Sequence, residues 1–146
     1  MAFMNKVTML LLRSPLHALF SKALVLVSYT GRRTGRAVSL PVQYALAGDT
    51  VWVLVGRPDT KSWWKNFADG APARLRLRGE WVDETGTVVR GAAGPERASA
   101  ALAMYRERFP KAGRALGLPV EGAPTAEQLE AAAAKAVFVC FEAATG

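Results

Sequence analysis

Five consecutive runs between residues 23 and 55 decide the fold: ALVLVSY (23–29), TGRRTGR (30–36), AVSLPVQYAL (37–46), AGD (47–49) and TVWVLV (50–55). The first, third and fifth are rich in β-branched and aromatic side chains. The second and fourth carry the glycines and polar residues that turn a chain back on itself. The region therefore reads as an antiparallel meander of hairpins. Beyond it, Ala73 to Arg78 alternates strictly, with Arg74, Arg76 and Arg78 on one face and Leu75 and Leu77 on the other. Gly79-Glu80 then turns the chain into a strand from Trp81 to Arg90, and Ala136 to Phe141 forms a last strand.

Helical signals surround these strands. Residues 3 to 20 have helical spacing of apolar side chains, interrupted at Ser14-Pro15, and the segment 1–22 is expected to be an N-terminal helical piece. A short helix capped by Asp59 or Thr60 is expected to carry Lys61 to Phe67 and to stop at Asp69-Gly70. Pro95 to Phe109 reads as an amphipathic helix with Ala98, Ala101, Leu102, Tyr105 and Phe109 on its apolar side. Lys111 to Pro124 reads as a loop or loose helix. Thr125 and Gln128 then have capping-box spacing for a helix ending near Lys135. The expected class is α+β: a mainly antiparallel sheet of about six strands that closes into a barrel or is covered by helices. The 146 residues are read as one domain, 1–146.

Composition narrows the function classes. The chain carries a net charge of +7, and no acidic residue precedes Asp49, whereas Lys6, Arg13, Lys22, Arg32, Arg33 and Arg36 do. Such a half attracts anions: a nucleotide phosphate, a polyanionic cofactor tail, acidic lipid or nucleic acid. One cysteine, Cys140, and one histidine, His17, leave no basis for a disulfide or a Cys/His metal site, so no metal is expected. Cys140 sits in an apolar run and reads as a buried small hydrophobe. The apolar stretch near the start is broken by Arg13, Pro15, His17 and Lys22 well short of a membrane span, and no small-residue cleavage site follows it. A cytoplasmic protein is expected, with residues 1–22 able to touch the anionic inner face of a membrane. Neither GxGxxG after a strand nor GxxxxGK[ST] occurs, which removes the Rossmann and P-loop readings.

Three constellations could carry chemistry. In Thr30 to Arg36 two glycines allow a sharp turn whose amides can meet an anion, and three arginines offer planar forks for phosphate or carboxylate. From Arg57 to Asn66, Trp63 and Trp64 offer flat ring faces, with Arg57, Lys61 and Lys65 supplying charge. Adjacent tryptophans on a helix point about 100° apart, so one is expected in the core and the other lining a cleft or packing beneath the sheet; by this pattern alone, core packing is the ordinary role of both. The arginine row at 74, 76 and 78 could follow single-stranded nucleic acid, line an anion groove or simply be solvated.

The first two constellations, in this order, with Pro41 and Gly48-Asp49 between them, resemble the deazaflavin (F420)-dependent nitroreductase and quinone reductase family. The resemblance spans residues 23 to 142 and implies a split β-barrel related to FMN-binding domains, with coenzyme F420 as hydride carrier. It places Arg32, Arg33 and Thr34 on the cofactor's phosphate region and Arg57 near the cofactor. It puts Pro41 and the strand end Leu54, Val55 and Gly56 along the ring. Trp63 and Asn66 fall on the family's Trp-x-x-Asn positions beside the cleft. Tyr29, Tyr44 and Trp64 are candidates for a substrate pocket, and a quinone or nitroaromatic is the implied acceptor. The better-studied branch has an arginine where Val38 stands here and a longer loop before its tryptophan. No catalytic side chain is assigned, because hydride transfer is cofactor chemistry. The other readings are an FMN-binding reductase, a non-catalytic carrier of cofactor or lipophile, and a nucleic-acid-binding barrel; related split barrels often form homodimers.

Overall fold

The structure, a computed structural model, describes residues 24–77 and 79–144. The expected N-terminal helix over 1–22 and the side chain of Arg78 lie outside the described residues. Among the described residues seven strands form one antiparallel sheet: β1 (Leu24–Thr30), β2 (Ala37–Gln43), β3 (Ala45–Ala47), β4 (Thr50–Leu54), β5 (Ala71–Leu77), β6 (Glu80–Arg90) and β7 (Val137–Ala143). Two helices, α1 (Pro95–Arg108) and α2 (Ala126–Lys135), precede β7. The class is α+β, a curled antiparallel half-barrel covered by two helices.

The spatial order of strands is β2-β1-β5-β6-β7-β4-β3. Its two edges, β2 and β3, are consecutive in the chain and separated by Tyr44 alone. A flat sheet would hold those edges apart by the five strands between them, so the sheet must curl until its margins meet at Tyr44. This corrects the expected single strand over Ala37 to Leu46. The run is continuous in propensity, but at Tyr44 the chain leaves β1's edge and joins β4's.

Curling creates an inside and an outside, and β4 and β7 are buried on both. Val51, Val53, Val139 and Phe141 point into the barrel core with Val25, Val27, Leu75 and Phe67. The alternate residues Trp52, Phe138 and Cys140 face the helices and pack with Leu102, Tyr105 and Ala132. This double burial is why both strands read as unbroken apolar runs instead of alternating ones. Cys140 is fully buried within that second core, beside the Thr87 hydroxyl at 3.2 Å.

The helices follow their sequence signals. Thr125 accepts a hydrogen bond from the Gln128 N–H, and the Gln128 side chain accepts one from the Thr125 N–H, completing the capping box of α2. The expected helix over Lys61 to Phe67 is instead a 3-10 turn, Trp63–Phe67, after a shorter one at Pro58–Thr60. Neither Asp59 nor Thr60 caps it: its N-cap position is Ser62, with no side-chain capping hydrogen bond, and the Thr60 hydroxyl donates back to the Arg57 carbonyl at 2.9 Å. Gly86 lets this turn dock on the sheet. A Cβ there would lie 2.6 Å from the Phe67 ring and 2.7 Å from the Phe141 ring.

One buried carboxyl stands apart. Glu84 on β6 is 7% exposed, and its Oε2 has no hydrogen-bond partner. Burial raises its pKa above the ordinary 4.5, and the nearby charges of Asp49 and Glu142 raise it further. The folded state thus holds this proton more tightly than the unfolded chain. The group's favourable contribution is complete below the unfolded value and is lost as pH rises through the folded one. Glu84→Gln is expected to raise the melting temperature at neutral pH, with the gain fading as pH falls towards 4.5. Thermal melts across that range check it; a gain independent of pH would mean that charge is not the cause.

Candidate active site

Where the sheet's margins fail to pair, a slot of about 360 Å3 opens between β2 and β4. The β3–β4 register sets Ala45 opposite Trp52, and two residues further on it would set Gln43 opposite Leu54. That ladder rung is never made directly. Tyr105, from the buried face of α1, places its hydroxyl there and donates to the Gln43 carbonyl at 3.2 Å. The Leu54 backbone is near enough to the same oxygen to lower its pKa. The phenol thus sits between the two strand ends, bonded to Gln43. Its pKa is pushed up to about 12, first by burial, against smaller lowering effects of the Leu54 backbone and Arg108. The group therefore remains a hydrogen-bond donor throughout the working pH range.

Tyr105→Phe is expected to destabilise the fold by about 1–3 kcal/mol, because the Gln43 carbonyl loses its hydrogen-bond donor. Urea unfolding should show a lower midpoint with an unchanged slope. An unchanged midpoint would mean that the Gln43 carbonyl does not depend on the hydroxyl.

Pro41, Leu54, Val55, Gly56 and Trp63 all line the slot, as do Gln43, Lys61 and Tyr105. Five of the ten expected cofactor-binding residues are thus brought together at the split. Gly56 presents bare backbone to the slot, and the one atom within 4 Å of where a Cβ would stand is the Lys61 Nζ, at 3.8 Å. Lys61 therefore brings a positive charge to the slot beside bare backbone.

The glycine turn is tied to the same place. Gly31 donates to the Arg36 carbonyl and Gly35 to the Gly31 carbonyl, both at 2.8 Å, with Gly35 at φ 69°. The Arg32 backbone N–H donates to Asn66 Oδ1 at 2.8 Å, and Asn66 Nδ2 donates to the Trp63 carbonyl at 2.8 Å. Asn66 thus spends both polar ends inside the protein, clamping the turn to the segment that carries Trp63. The side chains of Arg32, Arg33, Thr34 and Arg36 are exposed on that turn.

Other expected site residues lie elsewhere. Arg57 lines a neighbouring cavity that shares Leu54, Val55 and Gly56 with the slot. Trp64 is 4% exposed; its indole N–H donates to the Pro58 carbonyl at 3.0 Å, and the Arg90 guanidinium lies 4.9 Å from its ring centre. It is the core partner of the tryptophan pair, with Trp63 at the slot. Tyr29 is in the core, edge-on to Phe67 at 5.3 Å, and burial raises its pKa. Tyr44 is also buried, with the Arg108 guanidinium 5.0 Å from its ring. Neither cavity is lined by Tyr29, Tyr44 or Trp64. Sequence reasoning missed Tyr105 and Gln43 as site residues. Tyr105 has the spacing of an ordinary core residue, and nothing in that spacing tells where its hydroxyl ends.

Among the described residues no cluster of three potential metal ligands occurs, and no helix is long and apolar enough to cross a membrane. The sequence profile described as F420H(2)-dependent quinone reductase matches residues 14–122. A solved chain described as a domain-swapped dimer is 14% identical, with a TM-score of 0.60 over 83% of this chain and 81% of that one. An F420-H2 dependent reductase, FDR-A, is 15% identical, with a TM-score of 0.57 over 82% of this chain and 94% of its own. At these identities the structural likeness establishes the split-barrel fold. No curated protein matches the chain.

Proposed function

The chain belongs to the F420H(2)-dependent quinone reductase family, and from that premise we propose that the β2–β4 slot holds the F420 ring and that the acceptor is a quinone. The protein is an F420-dependent oxidoreductase; when bound, reduced F420 supplies a hydride, which a quinone takes up together with one proton to leave as hydroquinone. The observation that carries the assignment is the slot itself. A planar ring needs a narrow, partly apolar gap with backbone polar groups along its edge. The separation of β2 from β4, with Trp63 at one side and the bare Gly56 backbone at the other, fits that need.

The remaining work falls to this chain's own residues. Tyr105 sits at the gap, bonded to Gln43. Lys61 gives it positive potential, which would favour a negatively charged group held there. Arg32, Arg33 and Thr34 are suited to a phosphate, being exposed donors on a turn whose position Asn66 fixes. A proton for the acceptor can come from solvent, since both cavities open to the surface.

Fluorescence titration of the full chain with F420 and, separately, FMN tests the first half of the proposal. Saturable binding is expected for F420 alone. Anaerobic oxidation of reduced F420 should then depend on added 2-methyl-1,4-naphthoquinone. Preferential FMN binding would overturn the cofactor placement, and cofactor binding without quinone-dependent oxidation would overturn the acceptor.

A further inference from the structure

Next to the slot, and sharing its Leu54–Gly56 wall, lies a cavity of about 500 Å3. Leu54, Val55 and Leu116 give it an apolar interior. Four cations, Arg57, Lys111, Arg114 and Lys135, line it, and no acid does. None of the four takes part in an ion pair among the described residues; the ion pairs there are Arg74–Asp83 and Arg97–Glu142. Four like charges around one apolar hollow repel each other and gain from an anion placed among them.

The elements that bring these cations together are separate and individually fixed. Arg57 has φ 52°, the one described non-glycine residue with a positive φ. That left-handed backbone is disfavoured for a residue with a Cβ. It is held by Thr60, whose N–H and hydroxyl both donate to the Arg57 carbonyl, at 3.0 and 2.9 Å. Lys111 and Arg114 sit on the connection after α1. Gly113, at φ 85°, folds that connection tightly, its carbonyl accepting from the N–H groups of Leu116 and Leu118 at 2.8 and 3.1 Å. Lys135 ends α2. A backbone outlier beside a convergent set of uncompensated charges points to a ligand.

We infer that this cavity is the acceptor's site and that it selects an anionic acceptor: a planar apolar body bearing a carboxylate, sulfonate or phosphate. The role as acceptor site rests on the placement of F420 in the slot. Gly56, common to both spaces and without a side chain, is where the two bound molecules would meet. The apolar wall takes the ring body, and the four cations take the charged substituent through charge-assisted hydrogen bonds.

Calorimetric titration of the full chain with naphthalene-2-sulfonate and with neutral 2-naphthalenemethanol, each with and without F420, tests this. The sulfonate is expected to bind about ten-fold more tightly or better, and to raise the KM for quinone without changing kcat. Lys111→Ala combined with Arg114→Ala should abolish the preference while leaving F420 affinity within about two-fold. Both residues are exposed, so folding should survive; Lys135→Ala provides a second variant with the same expectation. Equal binding of the two probes would overturn the proposal. So would variants that weaken F420 and spare the sulfonate, which would assign the cavity to the cofactor's anionic tail. A sulfonate preference in a chain that binds no F420 would overturn the acceptor role through failure of the slot assignment, a result distinct from the other two.

Discussion

Gly91→Ala is expected to abolish the fold. Gly91 follows β6, where the chain passes directly beneath the last turn of α2, and its N–H donates to the Ala136 carbonyl at 2.9 Å. A Cβ built there would lie 1.5 Å from the Ala133 carbonyl oxygen, 2.6 Å from its carbon and 3.2 Å from the Ala134 Cα. All three are backbone atoms, so no rotamer change relieves the clash. The helix would have to lift from the sheet, breaking the Gly91–Ala136 hydrogen bond and uncovering the second core around Phe138 and Leu102. Overpacking against side chains typically costs about 1–3 kcal/mol. Displacing a helix backbone exceeds that, and more than about 4–5 kcal/mol approaches the whole stability of an ordinary domain. Circular dichroism and urea unfolding of the variant check it. Gly48→Ala is a suitable control, with φ 61° and nothing within 4 Å of its Cβ; it should cost only about 1 kcal/mol. A folded Gly91→Ala protein losing no more than that control would show that α2 can pivot freely.

Replacing Arg32 and Arg33 together with alanine should have the largest effect on ligand binding. Each guanidinium is exposed, and neither is in an ion pair among the described residues, so stability should change by less than about 0.5 kcal/mol. Each charge-assisted hydrogen bond to a phosphate is worth about 1.5–3 kcal/mol. Discounted for solvent screening, the pair should contribute about 2–4 kcal/mol, or roughly 30- to 1000-fold in F420 affinity. Asn66 holds the Arg32 backbone, not its side chain, so the turn keeps its position in the variant. Fluorescence titration at fixed ionic strength measures the loss. Unchanged affinity would move the phosphate elsewhere, with the four-cation cavity the next place to look.

The hairpins were legible because β1, β2, β5 and β6 combine β-rich runs with glycine turns, and the capping box of α2 because its chemistry is local. The family resemblance implied a split barrel, but the place of the split was not legible in the residue pattern. It depends on the chain changing edges at Tyr44 and on one phenol reaching Gln43, both facts about residues distant in sequence. The same limit separates the site residues. Pro41, the Leu54–Gly56 strand end and Trp63 line the slot, as the motif order implies. Trp64 could not be told from Trp63 by spacing alone; the Pro58 carbonyl decides which indole turns inward. The expected helix from Lys61 to Phe67 is a further difference: the chain makes two short 3-10 turns there, the second starting from Ser62 and not from Asp59 or Thr60.

The strand order also has a consequence for how the molecule assembles. β7 lies between β6 and β4, yet it follows both in the chain, with two helices intervening. Until it inserts, the Val51–Leu54 edge and the Glu84–Arg90 edge both lack their partner, and each exposes ladder groups and apolar side chains. β7, the last of the described strands in chain order, is therefore the keystone that closes two half-sheets. Refolding should be slow for a chain of this size, and its vulnerable moment is the interval when those two edges can find the wrong partner, including a second copy of the same chain.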